Sequence, residues 1–115
     1  MNVVAIRQAP EPNSFDELWL HFPPFRRDKK ALCRAKWDAI TGDGLHTRTL
    51  DKDSGQYVEI FLKATPEEIV AAAKHYDVRM RGTGTERFTY KDGGKFCVSL
   101  AVWLNQGRFL DESTG

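Results

Sequence analysis

The chain has 115 residues, of which 41% are hydrophobic, 29% charged and 11% aromatic, enough for one domain with a real core. Seventeen Lys and Arg against sixteen Asp and Glu leave a net charge of +1, which argues against a binder working by bulk charge, though a local basic patch fits inside a neutral total. No apolar run approaches the roughly 18 residues of a membrane span, and Val3-Val4-Ala5-Ile6 is too short for a signal-peptide core. Cys33 and Cys97 allow at most one disulfide, and without an export signal they read as reduced, partly buried thiols of a cytoplasmic protein.

In chain order, residues 1–13 end in two prolines without periodicity and are expected to form a flexible leader to a single compact domain over 14–110. Ser14 is a good N-cap, and Phe15, Leu18, Trp19 and Phe22 follow at helical spacing until Pro23-Pro24 stops the helix. Asp16 and Glu17 in the first turn suit the helix dipole. A second helix is expected from Asp28 as cap to Thr41, ended by Gly42. Its apolar residues fall on two arcs, Cys33, Trp37 and Ile40 on one and Leu32, Ala35 and Ala39 on the other, which predicts a central place in a bundle.

Residues His46–Leu50 and Gln56–Leu62 are strand formers around the turn Asp51-Lys52-Asp53-Ser54-Gly55, and predict a β-hairpin that needs the helices beneath it. Thr65-Pro66-Glu67-Glu68 is a capping box with Pro at the first helical position, and Ile69, Ala73, Tyr76 and Met80 extend one stripe to about Arg81. Residues 82–95 read as a glycine-rich loop, Phe96–Val98 as a short extended piece, Leu100–Gln106 as a helix capped by Ser99, and 111–115 as a flexible polar tail. The expected fold is mainly α within an α+β class: three to four helices with one β-hairpin inserted between the second and third long helices. Its core is expected from Phe15, Leu18, Trp19, Phe22, Leu32, Trp37, Ile40, Ile60, Ile69, Ala73, Tyr76, Trp103 and Leu104.

Catalytic patterns are missing. Two distant cysteines and the isolated His21, His46 and His75 lack zinc spacing, and Asp51 and Asp53 open a calcium-like loop whose glycine comes early and whose twelfth position is Leu62. No nucleophile elbow, Walker or dinucleotide fingerprint is present, and Glu67 and Glu68 are explained by the helix start. The expectation is a protein that is not an enzyme, with no cofactor and no metal.

The non-random charge feature is the stretch from Arg26 to Lys36, with six basic residues and one acid in eleven positions. Arg26, Arg27, Lys29, Lys30 and Arg34 suit a phosphate backbone, and cations at a helix start do not help the helix itself. The same run fits a solvated helix face. Arg79, Arg81 and Arg87, with Lys74, Lys91 and Lys95, form a second basic group that strengthens a nucleic-acid reading if it converges with the first. Phe25, Phe88, Tyr90 and Phe109 lie outside clear stripes near these cations, where they either stack on unpaired bases or cover the core.

Phe15-Asp16-Glu17-Leu18-Trp19 with Phe22-Pro23, the basic Arg27-Asp28-Lys29-Lys30 with Ala31, Ala35 and Trp37, Thr65-Pro66-Glu67-Glu68-Ile69, and Trp103-Leu104-Asn105 with Gly107-Arg108-Phe109 follow in an order over residues 14–112. That order resembles the C-terminal module of phage and prophage replication-initiation, helicase-loader-like proteins. Phe109 stands where the pattern closes on Trp, and Val98–Val102 replaces a His-Pro-Ala-Thr stretch. The origin-binding domain of those proteins has only a thirteen-residue leader in its place, so origin-specific binding is not expected. The resemblance implies a non-catalytic, phage-derived accessory of DNA replication in a bacterial cytoplasm, contacting DNA phosphates, a replicative helicase, or both. The alternative is a small phage-encoded inhibitor of a host nucleic-acid machine, anti-CRISPR-like or anti-replication, whose partner is a host defence or replication complex.

Overall fold

The structure, a computed structural model, describes residues 10–81 and 89–114. It is a small α+β fold with a hairpin between the second and third helices, as the sequence predicts. In order come α1 (Phe15–His21), a 3-10 turn (Pro24–Arg26), α2 (Lys30–Thr41), β1 (Leu45–Leu50), β2 (Tyr57–Leu62), α3 (Pro66–Met80), a tight turn (Lys91–Gly94), α4 (Leu100–Asn105) and α5 (Arg108–Thr114). No helix among the described residues is long and apolar enough to cross a membrane.

Local chemistry sets most boundaries. Ser14 Oγ accepts the Glu17 N–H at the start of α1, while the Glu17 carboxylate takes the Asn13 N–H at 2.7 Å, so Asn13 belongs to the cap. At α3 the capping box closes in both directions, Thr65 Oγ1 accepting from the Glu68 N–H and the Glu68 carboxylate from the Thr65 N–H. Ser99 caps α4 by accepting the Val102 N–H.

The core joins three packings. Phe15 and Leu18 of α1, with its C-cap Phe22, lie on Ile69, Ala73 and Tyr76 of α3; Cys33, Trp37 and Ile40 of α2 meet α4; and α5 closes over α3. Trp103 sits at the centre, fully buried, with Phe22, Phe109 and Tyr76 at ring separations of 5.3, 5.7 and 6.0 Å. The antiparallel hairpin pairs Leu45 with Leu62 and Leu50 with Tyr57. It is held at its base, where Leu62 is buried and Ala64 N–H donates to the Ile40 carbonyl. Its far end is exposed on both sides, with Leu50, Tyr57 and Val58 all open to solvent.

Four expectations need correction. Leu32 is exposed, as is Ala35, so α2 buries one face and lies at the side of the bundle rather than its centre. The cap of α2 is Lys29 in the left-handed region (φ 51°), not Asp28. The reason is that the Lys29 carbonyl takes the first helical N–H, from Cys33, while the Asp28 carbonyl accepts the Cys33 thiol. Residues 111–114, expected as tail, form the second half of α5, because Phe109 inserts beside Trp103 and Glu112 is drawn onto α3. Phe96–Val98 forms no strand, and Phe96 is exposed. Residues 1–9 of the leader and the glycine-rich stretch 82–88 lie outside the described residues.

Candidate functional site

The basic run is divided by the 3-10 turn. Arg26 points one way: its Nη2 donates to the Gly94 carbonyl at 3.4 Å and its guanidinium stacks 5.3 Å from the Phe25 ring. Gly94 is required there, because a Cβ at φ +80° would lie 2.3 Å from the Phe25 ring. Arg27 points the other way, toward α1. Its Nη1 donates to the Trp19 carbonyl at 2.7 Å and its guanidinium lies 5.7 Å from the Trp19 ring centroid.

Lys30 and Arg34, one turn apart on α2, continue that second surface. Lys30 Nζ is 5.2 Å from the Trp19 ring centroid, and the Arg34 guanidinium is 5.4 Å from that of Phe15. Phe15 and Trp19 are themselves in contact, with centroids 6.0 Å apart. Two open hollows lie along this surface. One, of about 320 Å³, is lined by Pro10, Asp16, Trp19, Leu20 and Arg27; the other, of about 380 Å³, by Phe15, Lys30, Ala31 and Arg34. Exposed Ala31 and Ala35 leave α2 low between its cations, so an extended ligand backbone can approach closely. Asp38 competes for Arg34 at 3.6 Å, but both side chains are more than half exposed, so the pair is weak.

Arg79 and Arg81 of the second basic group do not join this surface. Arg79 donates to Glu112 through Nε at 3.0 Å and also through Nη2. His75 contacts the same carboxylate, which is buried. Burial alone would push the Glu112 carboxyl up, but the hydrogen bonds from Arg79 and His75 outweigh it and hold the group below the usual carboxylate range. Arg81 is engaged by Asp77 at 3.0 Å and lies 4.7 Å from the Tyr90 ring centroid. Tyr90 in turn packs edge-on against Phe25 at 5.0 Å and donates its hydroxyl to Asp77. Arg26 and Arg81 therefore meet across the Phe25–Tyr90 pair, apart from Arg27, Lys30 and Arg34. Lys36 is also occupied, donating to Asn105 Oδ1 at 2.8 Å. Lys29 is exposed at its left-handed cap, and Arg87 and Phe88 lie outside the described residues.

The aromatic expectations divide as well. Phe109 is buried, not a stacking platform, whereas Phe25 is 49% exposed with Tyr90 packed edge-on against it. Of the three tryptophans, Trp37 and Trp103 are core, whereas Trp19 is only partly buried. Sequence reasoning therefore missed Trp19, along with Asp16 and Leu20, as surface residues. The available signal was angular: Trp19 sits at the edge of the α1 stripe, about 40° from Phe15 and on the side away from Leu18.

Burial pushes both cysteine thiols up, Asp28 adding to the effect at Cys33, so neither is an activated nucleophile. No group of three or more metal-ligating side chains is found among the described residues. No family model, curated protein or solved structure matches the chain.

Proposed function

We propose that this chain is a non-catalytic nucleic-acid-contacting accessory protein, of the phage replication type its sequence resembles, and that it binds through the α1–α2 surface. The observation that carries this reading is Trp19 flanked by the Arg27 guanidinium and the Lys30 ammonium, with Arg34 one turn further along. Aromatic faces interleaved with cations are the surface chemistry of single-strand binders: the rings stack bases while the cations follow the phosphates. Lys30 and Arg34 are themselves exposed, so each ammonium or guanidinium reaches solvent beside its ring and can turn to a phosphate. Arg27, Lys29, Lys30 and Arg34 supply the charge; Arg26, Arg79 and Arg81 have internal partners and are secondary in this reading.

The test is a fluorescence-anisotropy titration of single- and double-stranded DNA at two salt concentrations, beside a Lys30→Glu/Arg34→Glu variant. Salt-sensitive binding that the variant loses supports the reading, and no binding at low salt overturns it.

A second reading, a stoichiometric inhibitor of a host nucleic-acid machine, draws support from the hairpin. Its outer face sets Leu50 beside Tyr57 and His46 beside Phe61, around an exposed Arg48–Glu59 cross-strand pair. An exposed apolar patch of this kind suits a protein partner. Retrieval of a host replication or defence complex that depends on Tyr57 and Phe61, without DNA binding, would favour it.

A further inference from the structure

We infer that the hollow beside Trp19 holds one unpaired base, and that it selects bases carrying an exocyclic amino group. This rests on the nucleic-acid reading above and narrows it to single strands and to an edge chemistry. The hollow of about 320 Å³ is at the small end of ligand sites and has room for one ring system. Its walls are of three kinds. The partly buried Trp19 ring lines one wall, shared with the Lys30 ammonium that a stacking base would displace, with Leu20, 54% exposed, and Pro10 as apolar borders. Arg27 supplies the cation: its Nη1 is committed to the Trp19 carbonyl, which pins the side chain, and its remaining N–H groups are available to a phosphate.

Asp16 supplies the third wall and the discrimination. Its side chain makes no hydrogen bond or ion pair among the described residues, and it lies on the rim of a hollow whose other walls are aromatic, apolar and cationic. A carboxylate near a polyanion works against affinity unless it accepts hydrogen bonds from the ligand. A base stacked on Trp19 presents its edge to such a group. Cytosine offers its N4 amino donor to a carboxylate, whereas thymine carries the O4 acceptor at that position and loses the hydrogen bond. A base inside a duplex presents no free Watson–Crick edge, so the site favours single strands.

The test uses oligomers of about 12 nucleotides, all-dC and all-dT, which differ at the edge while stacking similarly. The full chain, titrated at neutral pH, should bind the dC oligomer about tenfold more tightly than the dT oligomer. Asp16→Asn is a solvent-side change, and it should raise dT binding to within about twofold of dC while leaving the salt dependence unchanged. Trp19→Ala should weaken both oligomers about tenfold, and abasic sites in the dC oligomer should reproduce that loss without altering the protein. Equal affinity of the unaltered protein for dC and dT overturns the inference while sparing the nucleic-acid reading, as does an Asp16→Asn variant that keeps the preference. Absence of binding to every oligomer overturns both.

Discussion

Arg27 is bound to Trp19 twice over: its Nη1 donates to the Trp19 carbonyl at 2.7 Å while its guanidinium lies 5.7 Å from the indole centroid. The hydrogen bond ties the residue after the 3-10 turn to the last turns of α1. It turns Arg27 away from Arg26, whose guanidinium goes to Gly94 and Phe25. Adjacent residues thus serve different surfaces, and the proposed binding surface is built from Arg27, Lys30 and Arg34 rather than from the whole run.

The fully buried Trp103 carries an indole N–H with no acceptor among the described residues. Trp103→Ala should cost about 3–5 kcal/mol, from lost burial and a cavity. Trp103→Phe should cost only about 1 kcal/mol, because the unpaired N–H is removed along with the volume. Urea unfolding of both variants checks this, and equal losses would show that the indole N–H is satisfied in solution.

The Glu112 carboxylate fastens α5 to α3, so Glu112→Gln should destabilise the fold by about 1–3 kcal/mol. The carboxyl is held lower in the fold than in the unfolded chain. Its contribution is therefore complete above the unfolded value near ~4.3 and disappears as pH falls through the lower folded value. The difference in melting temperature between the two proteins should accordingly be large at neutral pH and shrink below about pH 4. A gap that does not change with pH would point to packing rather than charge.

Lys29 caps α2 at φ 51°, a conformation that penalises any side chain with a Cβ. Lys29→Gly should stabilise the domain by about 0.5–1 kcal/mol. It should also lower the salt slope of single-strand binding by about 0.7, the share of one phosphate contact. Thermal melts and a salt-series titration read the two effects separately.

Leu32 is 44% exposed and Phe109 is 1% exposed. Leu32→Gln should change stability by no more than about 0.5 kcal/mol, whereas Phe109→Ala should lose about 3–5 kcal/mol. The reverse ranking in chemical denaturation would mean that α2, not α5, covers the core.

These same residues show what could be read in advance. Thr65 to Glu68 and the Asp51–Gly55 turn were legible because their chemistry is local: a hydroxyl three residues from a carboxylate closes a capping box wherever it lies. Leu32 was misplaced, and Phe109 was left between base stacking and core cover, because their burial depends on distant elements. The Leu32 arc of α2 has the periodicity of a core face but no helix among the described residues packs on it, and Phe109 is buried because α5 folds back onto α3 beside Trp103. The cap at Lys29 was hidden for a related reason, since a 3-10 turn three residues earlier already directs the chain. At the candidate site, residue types were legible but directions were not. Composition cannot show that Arg26 and Arg27 diverge, or that Glu112 and Asp77 engage Arg79 and Arg81.

The most direct test of the α1–α2 surface is an amide and indole NMR titration of the isotope-labelled chain with a single-stranded oligomer of about 12 nucleotides. A binding surface on α1 and α2 predicts that shifts concentrate on the Trp19 indole, Asp16, Leu20, Arg27, Lys30 and Arg34, leaving the Trp37 and Trp103 indoles and the hairpin still. Shifts confined to the hairpin or to the Arg26–Arg81 side, or no shifts at low salt, would contradict it.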